Sequence, residues 1–332
     1  MEEQATNDPL KFERNNSELI WVAQKVNELR TEISKHVIGQ EHIVELILAG
    51  IFANGHVLLE GVPGVAKTLS AKLISRLMKV DFSRIQFTPD LMPSDVIGTS
   101  VFNMKEGRFI FNKGPIFSNI VLIDEINRAP AKTQAALFEV MEERQITYDG
   151  TEYPMEFPFL VIATQNPIEQ EGTYSLPEAQ LDRFIFKITM DYPTLEEEAQ
   201  ILARYKASNG PLDITGIAPL LTPEDIKRVH SLMQEMVVEA SLINYIAAIT
   251  NRTRSHAKLF LGASPRASLS MLRAGKALAA LRGRDFITPD DIQYIAAPVL
   301  RHRIILTPEA EMEGISTDEV IQQILSEIEI PR

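Results

Sequence analysis

The sequence predicts an α/β fold: a parallel sheet of five strands covered by helices, followed by a smaller, mostly helical domain. Three observations carry this. Between Val57 and about Met190, short apolar runs of strand length alternate with stretches of helical spacing. A Gly/Pro turn, Gly61-Val62-Pro63-Gly64-Val65-Ala66-Lys67-Thr68, stands between the first of those strands and the next helix. After residue 192 the strands give way to helices with well-marked starts.

Each element can be justified in order. Ile20, Val22, Val26, Leu29 and Ile33 recur at helical spacing, so a leading helix occupies much of residues 1–36, and Val37-Ile38-Gly39-Gln40 interrupts it. The expected strands are His56 to Leu59, Phe82 to Phe87, Ile120 to Ile123, Phe159 to Ala163 and Phe184 to Met190. Their continuous apolar character is that of parallel strands buried on both faces. Two hairpins interrupt the alternation. Val101–Met104 pairs with Arg108–Phe111 across Lys105-Glu106-Gly107, and Ile146–Tyr148 pairs with Thr151–Tyr153 across the two-residue turn Asp149-Gly150. Taken on pattern alone, both are edge decorations that the sheet does not need. Thr222-Pro223-Glu224-Asp225 and Thr288-Pro289-Asp290-Asp291 place a hydroxyl cap, a first-turn proline and acidic residues in the order a helix N-terminus favours. The expected domains are 1–194, an α/β nucleotide-binding domain with its leading helix and two hairpin inserts, and 195–332, a helical lid, with 209–221 the best linker candidate.

A chain of 332 residues, 45% hydrophobic, can bury a large core. It contains no cysteine, which removes disulfides and thiolate metal sites and fits a cytoplasmic location. No apolar stretch reaches the roughly 20 residues of a membrane span. A net charge of −12 opposes binding to phosphate backbones and favours a protein partner over nucleic acid.

The turn at residues 61–68 has the layout of a phosphate-cradling loop. His56-Val57-Leu58-Leu59-Glu60 precedes it as a strand, and Leu69, Leu73, Ile74, Leu77 and Met78 follow at helical spacing. Backbone N–H groups in such a turn converge on phosphate oxygens, and the helix presents its positive end to the same charge. A cation in a first helical turn is unfavourable by roughly 0.3–1 kcal/mol, so Lys67 makes electrostatic sense beside a bound anion. Thr68 would offer its hydroxyl to Mg²⁺. Ala66 stands where the usual pattern has its last glycine; it adds one methyl and demands ordinary φ, and triphosphate binding is expected to survive it.

Ile120-Val121-Leu122-Ile123 runs into two adjacent carboxylates, Asp124 and Glu125, at the end of a parallel strand where ligands of open α/β sheets bind. Successive strand side chains point apart, so the two can take separate roles. Asp124 is assigned to the Mg²⁺ shell and Glu125 to the attacking water as general base. A second buried strand, Phe159 to Ala163, ends in Thr164-Gln165-Asn166, and Asn166 could bond the terminal phosphate or the water. Arg183, in Leu181-Asp182-Arg183-Phe184, is a candidate arginine finger for a neighbouring subunit, although a lone arginine beside an aspartate is more often a surface ion pair. Arg266 follows the cap Ser264 and Pro265, where the helix dipole disfavours it unless a phosphate compensates.

With these residues assembled, the chain resembles the AAA+ ATPases and, more narrowly, the MoxR family. The resemblance runs from Val37-Ile38-Gly39-Gln40 to Arg301-His302-Arg303. It is most specific in the segments from Arg84 to Asp95, from Asp124 to Ala129, from Ala163 to Tyr174 and from Leu176 to Phe184. It implies a sheet order of 5-1-4-3-2, a hexameric ring and nucleotide sites at subunit boundaries. It implies ATP and Mg²⁺ as cofactors, with Val37, Ile38 and Gln40 near the adenine. Gly61, Pro63, Gly64, Val65, Ala66, Lys67, Thr68 and Leu69 would line the phosphates. It names Asn166 as sensor 1, Arg183 as the finger and Arg266 as sensor 2, and it turns the two hairpins into pore-facing elements. Its members are chaperone-like motors, often partnered by proteins with von Willebrand factor A domains.

The leading expectation is therefore an ATP-driven protein remodeller. A nucleic-acid translocase is the first alternative, opposed by the acidic balance and by the scarcity of basic residues in both hairpins. A slow nucleotide-dependent switch or scaffold is the second.

Overall fold

The computed structural model describes residues 9–62, 67–166, 174–208, 214 and 216–331. Five strands form one sheet: β1 (His56–Gly61), β2 (Phe82–Gln86), β3 (Ile120–Asp124), β4 (Leu160–Gln165) and β5 (Phe184–Met190). Their order is 5-1-4-3-2 and all pairings are parallel, as the resemblance implied. Each strand end therefore faces the same edge, where Gly61, Asp124 and Gln165 close β1, β3 and β4. Val57, Leu58, Val121, Leu122, Val161 and Ile162 are all buried, which is why these strands read as unbroken apolar runs.

Helix α1 spans Pro9–Ser34, α2 Glu41–Phe52 and α3 Lys67–Leu77. A short helix α4 (Pro93–Ile97) leads into the first hairpin, Gly98–Asn103 with Arg108–Lys113. Helix α5 (Ala131–Glu143) precedes the second, Gln145–Tyr148 with Thr151–Pro154. The two hairpins are joined through one ring: Phe111 lies 4.9 Å from Tyr148 and 4.6 Å from Tyr153, centroid to centroid. At the far end of the first hairpin Phe102, Met104 and Phe109 are exposed, Met104 to 90%.

His56 pins three elements together. The Val161 N–H donates to Nδ1 at 3.0 Å, so Nε2 carries the proton and donates to the Met141 carbonyl at 3.0 Å. Sheet strands β1 and β4 and helix α5 thus meet on one buried imidazole.

The chain divides into two compact units, Arg30–Pro223 and a second made of residues 1–29 with Glu224–Arg332. The sequence reading drew its boundary at 194. In the structure the helix Leu195–Ser208 belongs with the sheet, and Arg204 donates to the carbonyls of Ser34 and Lys35 at 2.9 and 2.7 Å. Much of α1 instead belongs with the C-terminal helices, where Arg228 pairs with Glu18 at 2.5 Å. That second unit contains helices Pro223–Glu235, Ala240–Ser255, Pro265–Leu281, Pro289–Leu300 and Thr317–Glu327. Among the described residues no helix is long and apolar enough to cross a membrane.

Candidate active site

The site begins at the end of β1. Gly61 is tight against β5: a Cβ there would meet the Met190 carbonyl oxygen at 2.5 Å, so only glycine lets the chain leave the sheet at this point. Helix α3 opens at Lys67, whose ammonium turns back to donate to the Gly61 carbonyl at 2.6 Å. Burial pulls the Lys67 pKa below the usual lysine range, and the charges of Asp124, Glu125 and Glu60 offset part of that. A desolvated cation at a helix N-terminus is arranged for an anion. Thr68 and Leu69 follow in the same turn, half-buried. Pro63, Gly64, Val65 and Ala66 lie outside the described residues.

The segment named for the adenine adjoins this helix. Ser70, in the first turn of α3, donates to Gln40 Oε1 at 3.4 Å. Val37 is buried and Ile38 half-buried. Between them and Gln40, Gly39 has φ 73°. A Cβ there would come within 2.2 Å of the Glu197 carboxylate, so the turn requires glycine twice over.

β3 ends in the carboxylate pair. Asp124 accepts from Arg84 Nε at 2.6 Å and from the Thr164 hydroxyl at 3.4 Å. Glu125 sits in the left-handed region, φ 57° and ψ 54°, and opens a single 3₁₀ turn, Ile126–Arg128. Such backbone costs on the order of 1–3 kcal/mol and persists where surrounding bonds fix it. Here its N–H donates to Thr164 Oγ at 3.0 Å and its carbonyl accepts from Arg128 N at 2.8 Å. Its carboxylate accepts from Gln86 at 2.9 Å and pairs with Arg128 at 3.0 Å. The two acids thus have separate partners, but Glu125 lies beyond the strand end, so its left-handed backbone and not strand alternation turns it away from Asp124.

Asn166 directly follows β4, half-buried, at the same sheet edge as Asp124. Arg183 is turned inward: it donates to the Phe138 carbonyl, and Glu142 lies 3.8 Å away, both on α5 of its own chain. The sequence had pictured this arginine reaching outward. Arg266 belongs to the other compact unit, in the first turn of Pro265–Leu281, where its N–H donates to the cap Ser264 Oγ at 3.2 Å.

The residues fit a metal–nucleotide pair. Thr68 and Asp124 offer hard oxygen donors, and no cluster of three or more His, Cys, Asp or Glu suited to a metal exists among the described residues. One or two protein oxygens completed by phosphate oxygens is how Mg²⁺ is commonly held. Arg84, Gln86, Arg128 and Thr164 are the site residues that sequence reasoning missed. Arg84 and Gln86 left one trace, two long polar side chains at alternate positions of a strand that was otherwise read as apolar.

A strand, a phosphate loop and a helix, with a carboxylate pair closing a strand two places along, define a P-loop ATPase of the AAA+ class. The profile of the ATPase family associated with various cellular activities (AAA) matches residues 56–186, and that of the AAA lid domain matches residues 251–324. The chain is 44% identical over 315 residues to Chaperone MoxR1 of Mycobacterium tuberculosis, covering 91% of this chain and 81% of that protein. It is 31% identical over 307 residues to Protein MoxR of Methylorubrum extorquens, covering 85% and 88% respectively. A crystal structure of a Cytophaga hutchinsonii protein assigned as an ATPase superposes with a TM-score of 0.89 at 42% identity, over 97% of this chain and all of that one. The chain belongs to the MoxR family of AAA+ ATPases. It is a nucleotide-binding ATPase of a chaperone-like family.

Proposed function

We propose that this ATPase works with Mg²⁺ in a hexameric ring in the cytoplasm, and that hydrolysis at the junctions between copies drives the lid and hairpins against a protein client. The observation that carries this is the division of labour at the end of β3. Asp124 faces Arg84 and Thr164, while Glu125, held by its left-handed backbone, faces Gln86 and Arg128. In this reading Lys67 and the start of α3 bind the phosphates. Thr68 and Asp124 would hold the metal, which when bound would neutralise charge on the phosphates. Glu125 accepts the proton of the attacking water, and Asn166 orients that water.

Support for a protein client comes from the first hairpin, whose exposed Phe102, Met104 and Phe109 suit apolar contact better than phosphate contact. A protein with a von Willebrand factor A domain is the partner class to try first, by family likeness. Arg183 would complete a neighbour's site, and for that it must leave Phe138. Its inward pose favours, as a second reading, a slow nucleotide-dependent switch.

The deciding experiment compares ATP turnover and nucleotide-dependent assembly of the wild type with Glu125→Gln. The variant should bind ATP, assemble and lose roughly 10²- to 10⁴-fold in turnover, the range general-base catalysis contributes. Equal rates would remove Glu125 as the base.

A further inference from the structure

Arg84 and Gln86 are two residues apart on β2, the edge strand, so both side chains leave the same face. Pairing sets Arg84 opposite Leu122 and Gln86 opposite Asp124, which brings the guanidinium up to the last residue of β3. Arg84 Nε lies 2.6 Å from Asp124 Oδ2. The other carboxylate oxygen, Oδ1, faces the Thr164 hydroxyl at 3.4 Å. The acid side chain is 13% exposed and the arginine 51%, so the carboxylate is fixed in the site while the cation reaches it along a largely solvated arm.

Mg²⁺, when bound, would draw on Asp124 as a hard oxygen donor. The Arg84 guanidinium already lies at hydrogen-bond distance from that carboxylate, so metal and guanidinium would compete for its charge. Glu125 and Glu60 do not relieve the conflict, because each already has its own cation: Arg128 at 3.0 Å and Lys187 at 2.8 Å. An ion pair with a half-exposed partner is weak enough for a divalent ion to displace.

We infer that Arg84 is a resident counter-ion of the metal carboxylate, a positioning residue that keeps Asp124 aligned and must swing off Oδ2 before the metal–nucleotide complex is seated. Metal loading is then a competition between Mg²⁺ and a side chain of β2. That strand continues through α4 into the first hairpin, so a partner that moves the hairpin can bias the competition. The inference rests on the reading of Asp124 as the metal carboxylate.

The test uses the full chain and a fluorescent ADP analogue, with Mg²⁺ titrated at fixed nucleotide, so the readout is binding and not turnover. Arg84→Gln should lower the half-saturating Mg²⁺ two- to fivefold, equivalent to about 0.4–1 kcal/mol at 1.4 kcal/mol per tenfold. Arg84→Lys, which keeps the charge, should lie nearer the wild type. Melting temperatures give an independent reading: Mg²⁺–ADP should raise that of Arg84→Gln by more than it raises that of the wild type. Arg84→Gln melting lower by the same amount with and without Mg²⁺–ADP would mark a purely structural arginine and overturn the inference. So would a half-saturating concentration that is unchanged or raised. If wild-type binding is indifferent to Mg²⁺, the role given to Asp124 fails and this inference with it. A clear Mg²⁺ dependence that Arg84→Gln leaves unmoved sinks this inference alone.

Discussion

Thr164 Oγ accepts the backbone N–H of Glu125 at 3.0 Å, and that bond sets the direction in which the glutamate leaves the sheet. Thr164 is itself buried on β4, so the turn after β3 is held by the neighbouring strand as well as by the Arg128 N–H of its own 3₁₀ turn. Replacing Thr164 by valine keeps the volume and removes the acceptor. The stranded N–H should cost about 1–3 kcal/mol of stability. Because small misplacements of catalytic groups are expensive, turnover should fall by roughly tenfold or more, with nucleotide affinity nearly unchanged. Denaturant melts, turnover and nucleotide titration on one preparation would separate the three. A variant that turns over normally would show that the Glu125 backbone needs no such hold.

His56→Leu should be among the most damaging single changes in the α/β unit. It strands the Val161 N–H and the Met141 carbonyl, both of which His56 satisfies, at roughly 1–3 kcal/mol for each group. Urea unfolding followed by circular dichroism would register the sum. A loss below about 1 kcal/mol would mean that the two groups find other partners.

The C-terminal unit should have an acid limit set at Asp291. This carboxylate is fully buried and bonded by Arg284 and Arg282 while it closes the capping box of Pro289–Leu300. Burial alone would raise its pKa. The bonds from Arg284 and Thr288 outweigh burial, and the folded value lies below the ordinary one. The group therefore binds its proton more readily in the unfolded chain. Its contribution is fully present above the unfolded value, about 3.9, and is lost as pH falls through the depressed folded value. Stability measured from pH 7 down to 3 should drop at the acid end in the wild type, and Asp291→Asn should start lower at pH 7 and flatten that drop. Parallel curves would assign the acid loss to other groups.

Arg183→Ala should leave nucleotide binding intact, since the side chain bonds to Phe138 and faces Glu142 of its own chain. If a neighbour's phosphate draws it out, turnover of the assembled protein should fall on the order of 10³-fold, while dilute, unassembled protein should show little change. Turnover that falls equally at all protein concentrations would point to a role within its own chain.

Much of this was legible because the inner strands of the parallel sheet are buried on both faces. Runs such as Ile120–Ile123 and Phe159–Ala163 could only be buried strands, and the glycines and lysine of the loop announced the ligand's charge. The order of the strands was not in those runs; it came by likeness, and the pairings agree with it. Partners of the carboxylates stayed hidden for a different reason. Arg84 is 40 residues from Asp124, and Gln86 is 39 from Glu125; only strand pairing brings them together. The inward pose of Arg183 was equally invisible, since its acceptor is a backbone carbonyl on α5, a group every residue carries.

The way the polypeptide threads its two compact units constrains how the molecule can be taken apart. The nucleotide unit is one uninterrupted stretch, Arg30–Pro223, whereas its companion is assembled from both sides of that stretch. No single cut frees the companion with its Glu18–Arg228 bridge intact. A fragment beginning after Pro223 lacks a structural member, and experiments on an isolated lid would need the early helix supplied in trans or spliced on.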